Sequence, residues 1–168
     1  ISDGDMAIIS QKIDFLGVNY YTRIHYKNTP DHWFSEVSLE NVATTDMGWE
    51  IYPQGLCELL LSLNDRYTLP KVYITENGAA MADILINGKV DDIQRVNYYH
   101  THLNAVHNAV EQGVNVQGYF AWSLMDNFEW AYGYEKRFGL VYVDYQTQQR
   151  TLKQSAIAYR DFLKQRQK

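Results

Sequence analysis

The chain has 168 residues, of which 46% are hydrophobic and 21% charged, so it contains enough apolar material for one compact core. Its formal net charge is −5 and its lysines and arginines form no block, which argues against a nucleic acid or an anionic membrane as a partner. The only cysteine, Cys57, excludes an intrachain disulfide and a cysteine metal cluster, and it favours a reducing compartment such as the cytoplasm.

Two further features of the composition bear on function. No apolar run approaches the roughly 18 residues that a membrane span needs, and no basic-then-apolar leader opens the chain. Aromatic residues make up 14% of the chain, with four Trp, fourteen Tyr and six Phe. Many belong to the core, but sugar rings also have apolar faces that stack on aromatic side chains. A carbohydrate site is therefore one physical use of this surplus.

The first third of the chain predicts a short helix, a strand and a long loop. Residues 3–10 fit the last turns of a helix, and the apolar run at 13–20 predicts a buried strand that ends in polar and aromatic residues, Asn19 and Tyr21 among them. Residues 22–52 lack periodicity, and loops of that length in compact domains are usually functional or disordered. Because this loop contains Trp33, Phe34 and Trp49, we expect it to be functional.

The middle of the chain predicts a helix followed by a short strand. Pro53 suits a first helical position, and leucines at helical spacing follow it to about residue 67. Residues 72–75 are β-branched or aromatic and predict a strand, which stops at the turn signal Asn77-Gly78. Glu76 directly follows this apolar run, where a charge is costly unless it is paired, solvated or in use. It is either a solvated strand-end glutamate or a catalytic carboxylate.

The last half predicts two more helices around another strand. Asp91 or Asp92 caps a helix that runs to about residue 111 and stops at Gly113. Residues 116–122 predict a strand, 123–136 a long loop, 137–145 a short strand or hairpin, and 151–164 a final helix. The expected buried stripe of the long helix consists of Ile93, Val96, His100, Leu103, His107 and Val110.

The predicted strands and helices alternate, which indicates an α/β fold with a parallel sheet. The carboxyl ends of parallel strands lie on one edge, so Asn19, Tyr21, Glu76 and Trp122 should converge there, as residues do on the active face of a (β/α)₈ barrel. Three such units are too few for eight strands. The chain is therefore an open three-layer domain or a piece of a barrel.

Several segments resemble motifs of glycoside hydrolase family 1, the β-glucosidase family. Residues 74–78, Ile-Thr-Glu-Asn-Gly, are similar to the family's nucleophile motif, and residues 15–22 resemble its strand-six motif. Residues 122–130 resemble its glucose-binding segment, and 137–145 resemble the segment after it. Residues 48–53 fit as well. The resemblance covers essentially the whole chain, in the family's order and spacing, and it is to the family's C-terminal portion.

This resemblance implies that residues 1–168 form a partial catalytic domain, strands six to eight of a TIM barrel. Family members are retaining glycosidases, which use two carboxylates roughly 5 Å apart. Glu76 matches the nucleophile. The general acid normally lies in an Asn-Glu-Pro motif, and here Thr29, Tyr52 and Leu69 are the residues that precede the three prolines. We therefore expect the acid to be supplied from outside this chain.

The resemblance also implies roles for residues around the nucleophile. Tyr21 would hydrogen-bond Glu76 and tune its charge. Asn19 would contact the region of the sugar 2-hydroxyl, where bonds strengthen in the transition state. Trp122 would form the platform under the glycone ring, and Trp49 would flank the aglycone. Without this resemblance, Trp122 would more often be a core residue than a sugar platform.

The loop after the last predicted sheet strand would hold the outer part of the sugar. Glu129 and Trp130 would bind the outer hydroxyls, since a carboxylate accepts hydrogen bonds from two adjacent OH donors, and Phe138 would wall the pocket. Members that act on 6-phosphorylated sugars replace this acidic pair, because a carboxylate repels phosphate. Unphosphorylated β-glucosides are therefore the favoured substrates, with 6-phospho-β-glucosides less favoured. Neither a cofactor nor a metal is expected.

Two hypotheses about the chain follow. In the first it is the C-terminal segment of a β-glucosidase, whose partners are a β-glucoside or oligosaccharide and the N-terminal barrel portion, in the same or a separate chain. In the second it is a non-catalytic fragment or sugar-binding remnant. Unpaired strand edges predict that the isolated chain is inactive and prone to associate.

Overall fold

The computed structural model describes residues 1–37 and 39–166. Helices and strands alternate along most of this length. In chain order they are α1 (Asp5–Ile9), β1 (Phe15–Asn19), β2 (Tyr26–Lys27), β3 (Ser35–Glu36), α2 (Pro53–Arg66), β4 (Lys71–Asn77), α3 (Ile93–Glu111), β5 (Val116–Ala121), a 3₁₀ turn (Trp130–Tyr132), β6 (Val141–Val143), β7 (Arg150–Leu152) and α4 (Gln154–Arg166).

The main sheet has β4 in its centre, with β1 on one side and β5 on the other, and both neighbours run parallel to it. The predicted parallel α/β arrangement is therefore confirmed. Within the described residues the sheet is open and does not close into a barrel. The segment predicted as a short strand or hairpin contains β6, which pairs antiparallel with β7.

The predicted loop at 22–52 contains structure that its sequence does not reveal. β2 and β3 pair antiparallel over two residues each, and Thr44 forms an isolated bridge with Glu50. Strands of two residues are too short to show an alternating pattern. The loop is thus a hairpin followed by a bridged turn, and its far end leads directly into α2.

The apolar core lies between the sheet and helices α2 and α3. Pro53 occupies the first turn of α2, as predicted. Leu56 and Leu60 are fully buried. The helix ends at Arg66, close to its predicted end, and Tyr67 just beyond it is 61% exposed. The cluster also contains Val18, Cys57, Val72, Ile74, Ala105, Val106, Ala109 and Val114. Among the residues that the structure describes, no helix is long and apolar enough to cross a membrane.

The predicted buried stripe of α3 is wrong at most of its positions, although Leu103 is partly buried and packs against the core. Ile93 is 49% exposed, Val110 is 43% exposed, and the side chain of His107 lies in the open, 3.3 Å from Glu111. The residues that the helix buries are Arg95, Tyr98, Tyr99, His102, Ala105, Val106 and Ala109. This face carries polar side chains, whose hydrogen-bond partners lie in distant loops and on the helix itself. Because a prediction from hydropathy places polar residues at the surface, it chose the wrong face.

His102 is the histidine that α3 buries. Its Nδ1 lies 2.8 Å from the carbonyl oxygen of Tyr98, and its ring stacks on the Tyr98 ring at 3.8 Å between centroids. Its Nε2 has no hydrogen-bond partner among the described residues. Burial lowers the pKa of His102 from 6.5 to about 4, because a charged imidazolium would lose its hydration there.

This depressed pKa predicts acid sensitivity of the fold. Between pH 6.5 and about 4 the unfolded chain binds a proton at His102 that the folded chain does not. The stability of the fold is therefore highest above pH 6.5 and decreases as the pH falls from 6.5 to about 4. We expect a loss of up to about 3 kcal/mol in the free energy of unfolding, measured by urea titration across the range. His102→Gln should flatten this dependence, and the exposed-site control His107→Gln should retain it. An unchanged slope in His102→Gln would contradict the assignment.

Candidate active site

The carboxyl ends of β1, β4 and β5 lie at one edge of the sheet, and the predicted site residues follow them. Asn19 ends β1, Glu76 is the penultimate residue of β4, and Trp122 directly follows β5. The parallel register places these three positions side by side. The convergence expected from the sequence is therefore present in the fold.

A bulge in β4 directs Glu76 away from the helices. Ile74 pairs with Val18 of β1 and the next pair is Glu76 with Asn19, so β4 has one more residue than β1 at this point. Strict alternation would place Glu76 on the helix side with Val72 and Ile74. The extra residue instead puts the buried Asn77 on that side and leaves Glu76 lining a pocket.

Asn77 fastens the ends of the three strands together. Its Nδ2 donates to the carbonyl oxygen of Tyr20 at 2.7 Å and to the hydroxyl of Tyr98 at 2.9 Å, and its Oδ1 accepts from Tyr119 at 2.5 Å. The sequence predicts Asn77 only as a turn residue, but in the structure it is the last residue of β4 and is fully buried. Both hydrogens and the oxygen of this buried side-chain amide form hydrogen bonds, so Asn77 holds the groups around it in position.

Gly78 permits a close approach of the chain after β4 to the chain after β5. A Cβ at this position would lie 1.8 Å from the carbonyl oxygen of Trp122, well inside any allowed contact. That carbonyl also accepts a hydrogen bond from Tyr99 at 3.1 Å, and the Trp122–Ser123 peptide bond is cis. Glycine is required here because of this contact.

Tyr21 and Glu76 form the polar centre of the site. The Tyr21 hydroxyl donates to Oε2 of Glu76 at 2.7 Å. Burial raises the pKa of Tyr21 far above its ordinary value, and the hydrogen bond to Glu76 adds to that effect, so the hydroxyl stays protonated. The Tyr21 ring packs edge-on against Trp49 and Phe138, with centroids 5.5 and 6.1 Å away.

These residues line a pocket of about 430 Å³, within the usual range for small-molecule sites. The lining residues are Tyr21, Met47, Trp49, Glu76, Trp122, Glu129, Trp130, Ala131, Tyr132 and Phe138. A larger cavity of about 650 Å³ lies near Ile13, at the amino ends of β1 and β4, but its walls contain no carboxylate. Two other cavities also combine a carboxylate with aromatic rings. The 430 Å³ pocket is the candidate site because Glu76 and Glu129 line it together with most of the predicted aromatic residues.

One predicted residue lies outside this pocket lining, and three lining residues were not predicted. The Oδ1 of Asn19 accepts a hydrogen bond from the Thr75 hydroxyl at 2.6 Å at the rim of the site. Ala131 and Tyr132 enter because the 3₁₀ turn brings them back beside Trp130. Met47 enters through the turn before Gly48, whose φ of 74° is left-handed. Neither turn has a sequence signal that predicts its direction.

Glu129 shares the pocket with Glu76. Burial raises the pKa of Glu129, the negative charge of Glu76 raises it further, and a hydrogen bond from Trp122 opposes both effects. The Glu129 backbone is held by hydrogen bonds to Gly133 at 2.6 Å and from Tyr132 at 2.8 Å. Two carboxylates with aromatic faces between them suit a ligand that has both hydroxyl groups and apolar ring faces.

Glu50, the residue after Trp49, forms an ion pair with Arg23. Arg23 donates two hydrogen bonds to the neighbouring Glu50, at 2.8 and 2.9 Å, and its guanidinium lies 3.4 Å from the centre of the Tyr52 ring. The bonds from Arg23 lower the pKa of Glu50 to about 2. His25 Nε2 lies 3.0 Å from the same carboxylate. This anchor fixes the end of the 22–52 segment beside the pocket.

Comparison with known proteins places this arrangement among related molecules. The family model described as glycosyl hydrolase family 1 matches residues 1–168. Beta-glucosidase A of Acetivibrio thermocellus is 45% identical over 167 residues, covering 96% of this chain and 37% of the relative. 6-phospho-beta-galactosidase of Clostridium acetobutylicum is 42% identical over 180 residues, covering 93% of this chain and 38% of the relative.

Solved structures give the same picture of the fold. The beta-glucosidase from Thermotoga maritima in complex with castanospermine has a TM-score of 0.92 and 47% identity to this chain. The match covers 95% of this chain and 36% of the Thermotoga chain. The chain therefore spans well under half the length of the relatives that it matches.

Proposed function

The chain belongs to glycosyl hydrolase family 1 and its fold is part of that family's TIM barrel, and on this basis we propose that it supplies the nucleophile and most of the sugar pocket of a retaining β-glucosidase. In this proposal β1, β4 and β5 are barrel strands six, seven and eight, and residues 1–168 form the C-terminal segment of one catalytic domain. The observation that carries it is the Tyr21–Glu76 hydrogen bond of 2.7 Å inside an aromatic pocket.

Glu76 acts as the nucleophile in this mechanism. Its carboxylate attacks the anomeric carbon while an acid protonates the departing glycosidic oxygen, which leaves with the bonding electrons. A glycosyl ester on Glu76 results. Water then attacks the same carbon, loses a proton to the former acid, and releases the sugar with its original anomeric configuration. The Tyr21 hydroxyl orients the Glu76 carboxylate throughout.

The general acid comes from the N-terminal barrel portion, in the same chain or a separate one. None of the three prolines follows a glutamate, so the family's Asn-Glu-Pro acid motif does not occur in this sequence. Glu129 is the second carboxylate of the pocket, and we assign it to the outer sugar hydroxyls together with Trp130. Trp122 is the glycone platform, Phe138 a wall, Asn19 a contact near the 2-hydroxyl and Trp49 the aglycone wall. The single cysteine supports a cytoplasmic location.

The expected substrate is an unphosphorylated β-glucoside. Glu129 lies close enough to Glu76 for one charge to raise the pKa of the other, and a phosphate dianion would add repulsion to this acidic pocket. Because one relative is named 6-phospho-beta-galactosidase, a 6-phosphorylated glycoside is the alternative.

The test uses a reconstituted barrel, in which the N-terminal part of the Thermotoga maritima relative is joined to this chain. We expect it to hydrolyse an aryl β-glucoside with kcat/KM at least about tenfold above that for the 6-phosphorylated substrate. Nuclear magnetic resonance should detect the β-anomer as the first product. A preference for the phosphorylated substrate, or an α-anomer first, would overturn the proposal.

Removal of one hydroxyl from the site should slow the reaction. In the reconstituted barrel, Tyr21→Phe should lower kcat/KM for an aryl β-glucoside about 10- to 100-fold, because a hydrogen bond to a charged group contributes about 1.5–3 kcal/mol. The matched control is Tyr67→Phe, at a side chain that is 61% exposed beyond the end of α2. If Tyr21→Phe behaves like this control, Tyr21 has no role in positioning Glu76.

A further inference from the structure

A cluster of buried charges lies between the segment that follows β4 and the segment that follows β5. It contains three cations and three anions, namely Arg95, Arg137, Lys153, Asp83, Asp92 and Asp126. The side chains of all except Arg137 are at most 1% exposed. The cluster is electrically balanced, and none of its members lines the pocket.

Asp126 closes the base of the loop that carries Glu129 and Trp130. Its Oδ1 accepts from the backbone N–H of Gly139 at 2.9 Å, and its Oδ2 accepts from Arg137 at 2.6 Å. One side chain thus joins the start of the loop to its end. Gly139 must be a glycine, since a Cβ there would lie 2.1 Å from the backbone nitrogen of Asp126.

Lys153 and Arg95 connect that base to the segment after the nucleophile. Lys153 Nζ donates to Asp126 at 2.7 Å and to Asp83 at 2.5 Å. Arg95 donates to the carbonyl oxygens of Ala79 at 3.0 Å and Arg137 at 2.8 Å, and to both oxygens of Asp83. Through Arg95, the base of the loop is therefore hydrogen-bonded to Ala79, three residues after Glu76.

The contacts of the loop tip are more exposed than this cluster, and they include the Phe128–Tyr134 ring pair at 5.4 Å and the hydrogen bonds of Lys136 to Asp46. Trp130 is 81% exposed and Phe128 is 60% exposed. Buried ion pairs contribute little net stability because of desolvation, but they demand one geometry for the groups they join. A device of this kind suits positioning better than it suits stabilisation.

We propose that Asp126 and Lys153 are positioning residues that set the distance of Glu129 and Trp130 from Glu76, and that they thereby determine recognition of the outer sugar hydroxyls. The inference rests on the proposed function, since it assigns the loop to the glycone. Neither residue touches the sugar. Loss of the pair should loosen the loop tip and weaken recognition of the outer hydroxyls while the Tyr21–Glu76 pair stays intact.

The informative variant is the double substitution Asp126→Asn with Lys153→Met. Single substitutions leave a buried charge without its partner and endanger folding, whereas the double change leaves the cluster neutral at two cations and two anions. The matched control is Arg160→Met with Asp161→Asn, an ion pair on α4 whose side chains are 52% and 50% exposed. Both double variants are compared with the unmodified protein.

Two measurements test the inference. In the chain itself, amide hydrogen exchange over residues 127–136 should accelerate about tenfold or more in the cluster variant, with β4 unchanged. In the reconstituted barrel, kcat/KM for an aryl β-glucoside should fall about tenfold more than for the matching β-xyloside, which lacks the 6-hydroxymethyl group. The control variant should change neither quantity.

The outcomes separate this inference from the function on which it rests. Unchanged exchange, or an equal loss on both sugars, overturns the positioning role in recognition. If the unmodified reconstituted barrel hydrolyses neither sugar, the proposed function fails, and the exchange measurement still decides whether the cluster holds the loop.

Discussion

Replacement of Glu76 by Gln should abolish hydrolysis of an aryl β-glucoside by the reconstituted barrel, with a loss on the order of 10⁴-fold or more. The amide keeps the size of the carboxylate and can still accept the bond from Tyr21, so the pocket should retain its shape. It cannot attack the anomeric carbon and form a glycosyl ester. Loss of the covalent route should therefore remove turnover and leave sugar binding measurable.

Two comparisons make this result specific to Glu76. Glu111→Gln, at a carboxylate that is 66% exposed on α3, should leave kcat/KM unchanged. Glu76→Ala should regain product formation with sodium azide, because the small anion can enter the vacated space and attack the anomeric carbon to give an α-glycosyl azide. Normal turnover by Glu76→Gln would refute the nucleophile assignment.

The second large effect concerns the chain by itself. We expect no detectable hydrolysis of an aryl β-glucoside by the isolated chain, because in the proposed mechanism the N-terminal barrel portion supplies the acid that protonates the leaving oxygen. Within the described residues β1 and β5 each pair on one side only, and Phe15 and Phe120 are 53% and 57% exposed on these strands. Such edges and apolar surfaces promote association. Sedimentation should therefore show oligomers of the isolated chain.

Addition of the N-terminal barrel portion as a separate polypeptide should restore retaining hydrolysis and reduce the oligomers. The control is the same mixture with the Glu76→Gln chain, which should associate normally and remain inactive. Retaining hydrolysis by the chain alone would contradict the prediction. Sugar affinity without turnover, even in the presence of the N-terminal portion, would favour a sugar-binding remnant.

The three strands of the main sheet and most helix boundaries could be predicted from the sequence because each has a local cause. The apolar run before Glu76 lies in β4, and Pro53 lies in the first turn of α2. The buried face of α3 could not be predicted this way. Arg95 is interior because Asp83 and Ala79, which are distant from it in sequence, provide its partners.

The candidate site divides along the same line. Recognition of motifs named most of the residues that line the pocket, but it did not show how Glu76 comes to face it. That orientation depends on one extra residue in β4 relative to its neighbours, which only strand pairing reveals. The role of Asn77 was hidden for a similar reason, since its partners Tyr20, Tyr98 and Tyr119 come from two strand ends and a helix.

The loop after β5 has a fixed base and an exposed tip, and this division affects how the pocket can change. Under the proposed function, we expect substitutions between residues 127 and 136 to alter the surface offered to the sugar and to spare the buried charge cluster, whose members lie outside this range. Changes at Asp126, Arg137 or Lys153 require compensation elsewhere, because each shares its partners with the others. The tip can therefore be exchanged for the tip of a relative with another sugar preference. A substitution in the base requires matching substitutions at its ion-pair partners.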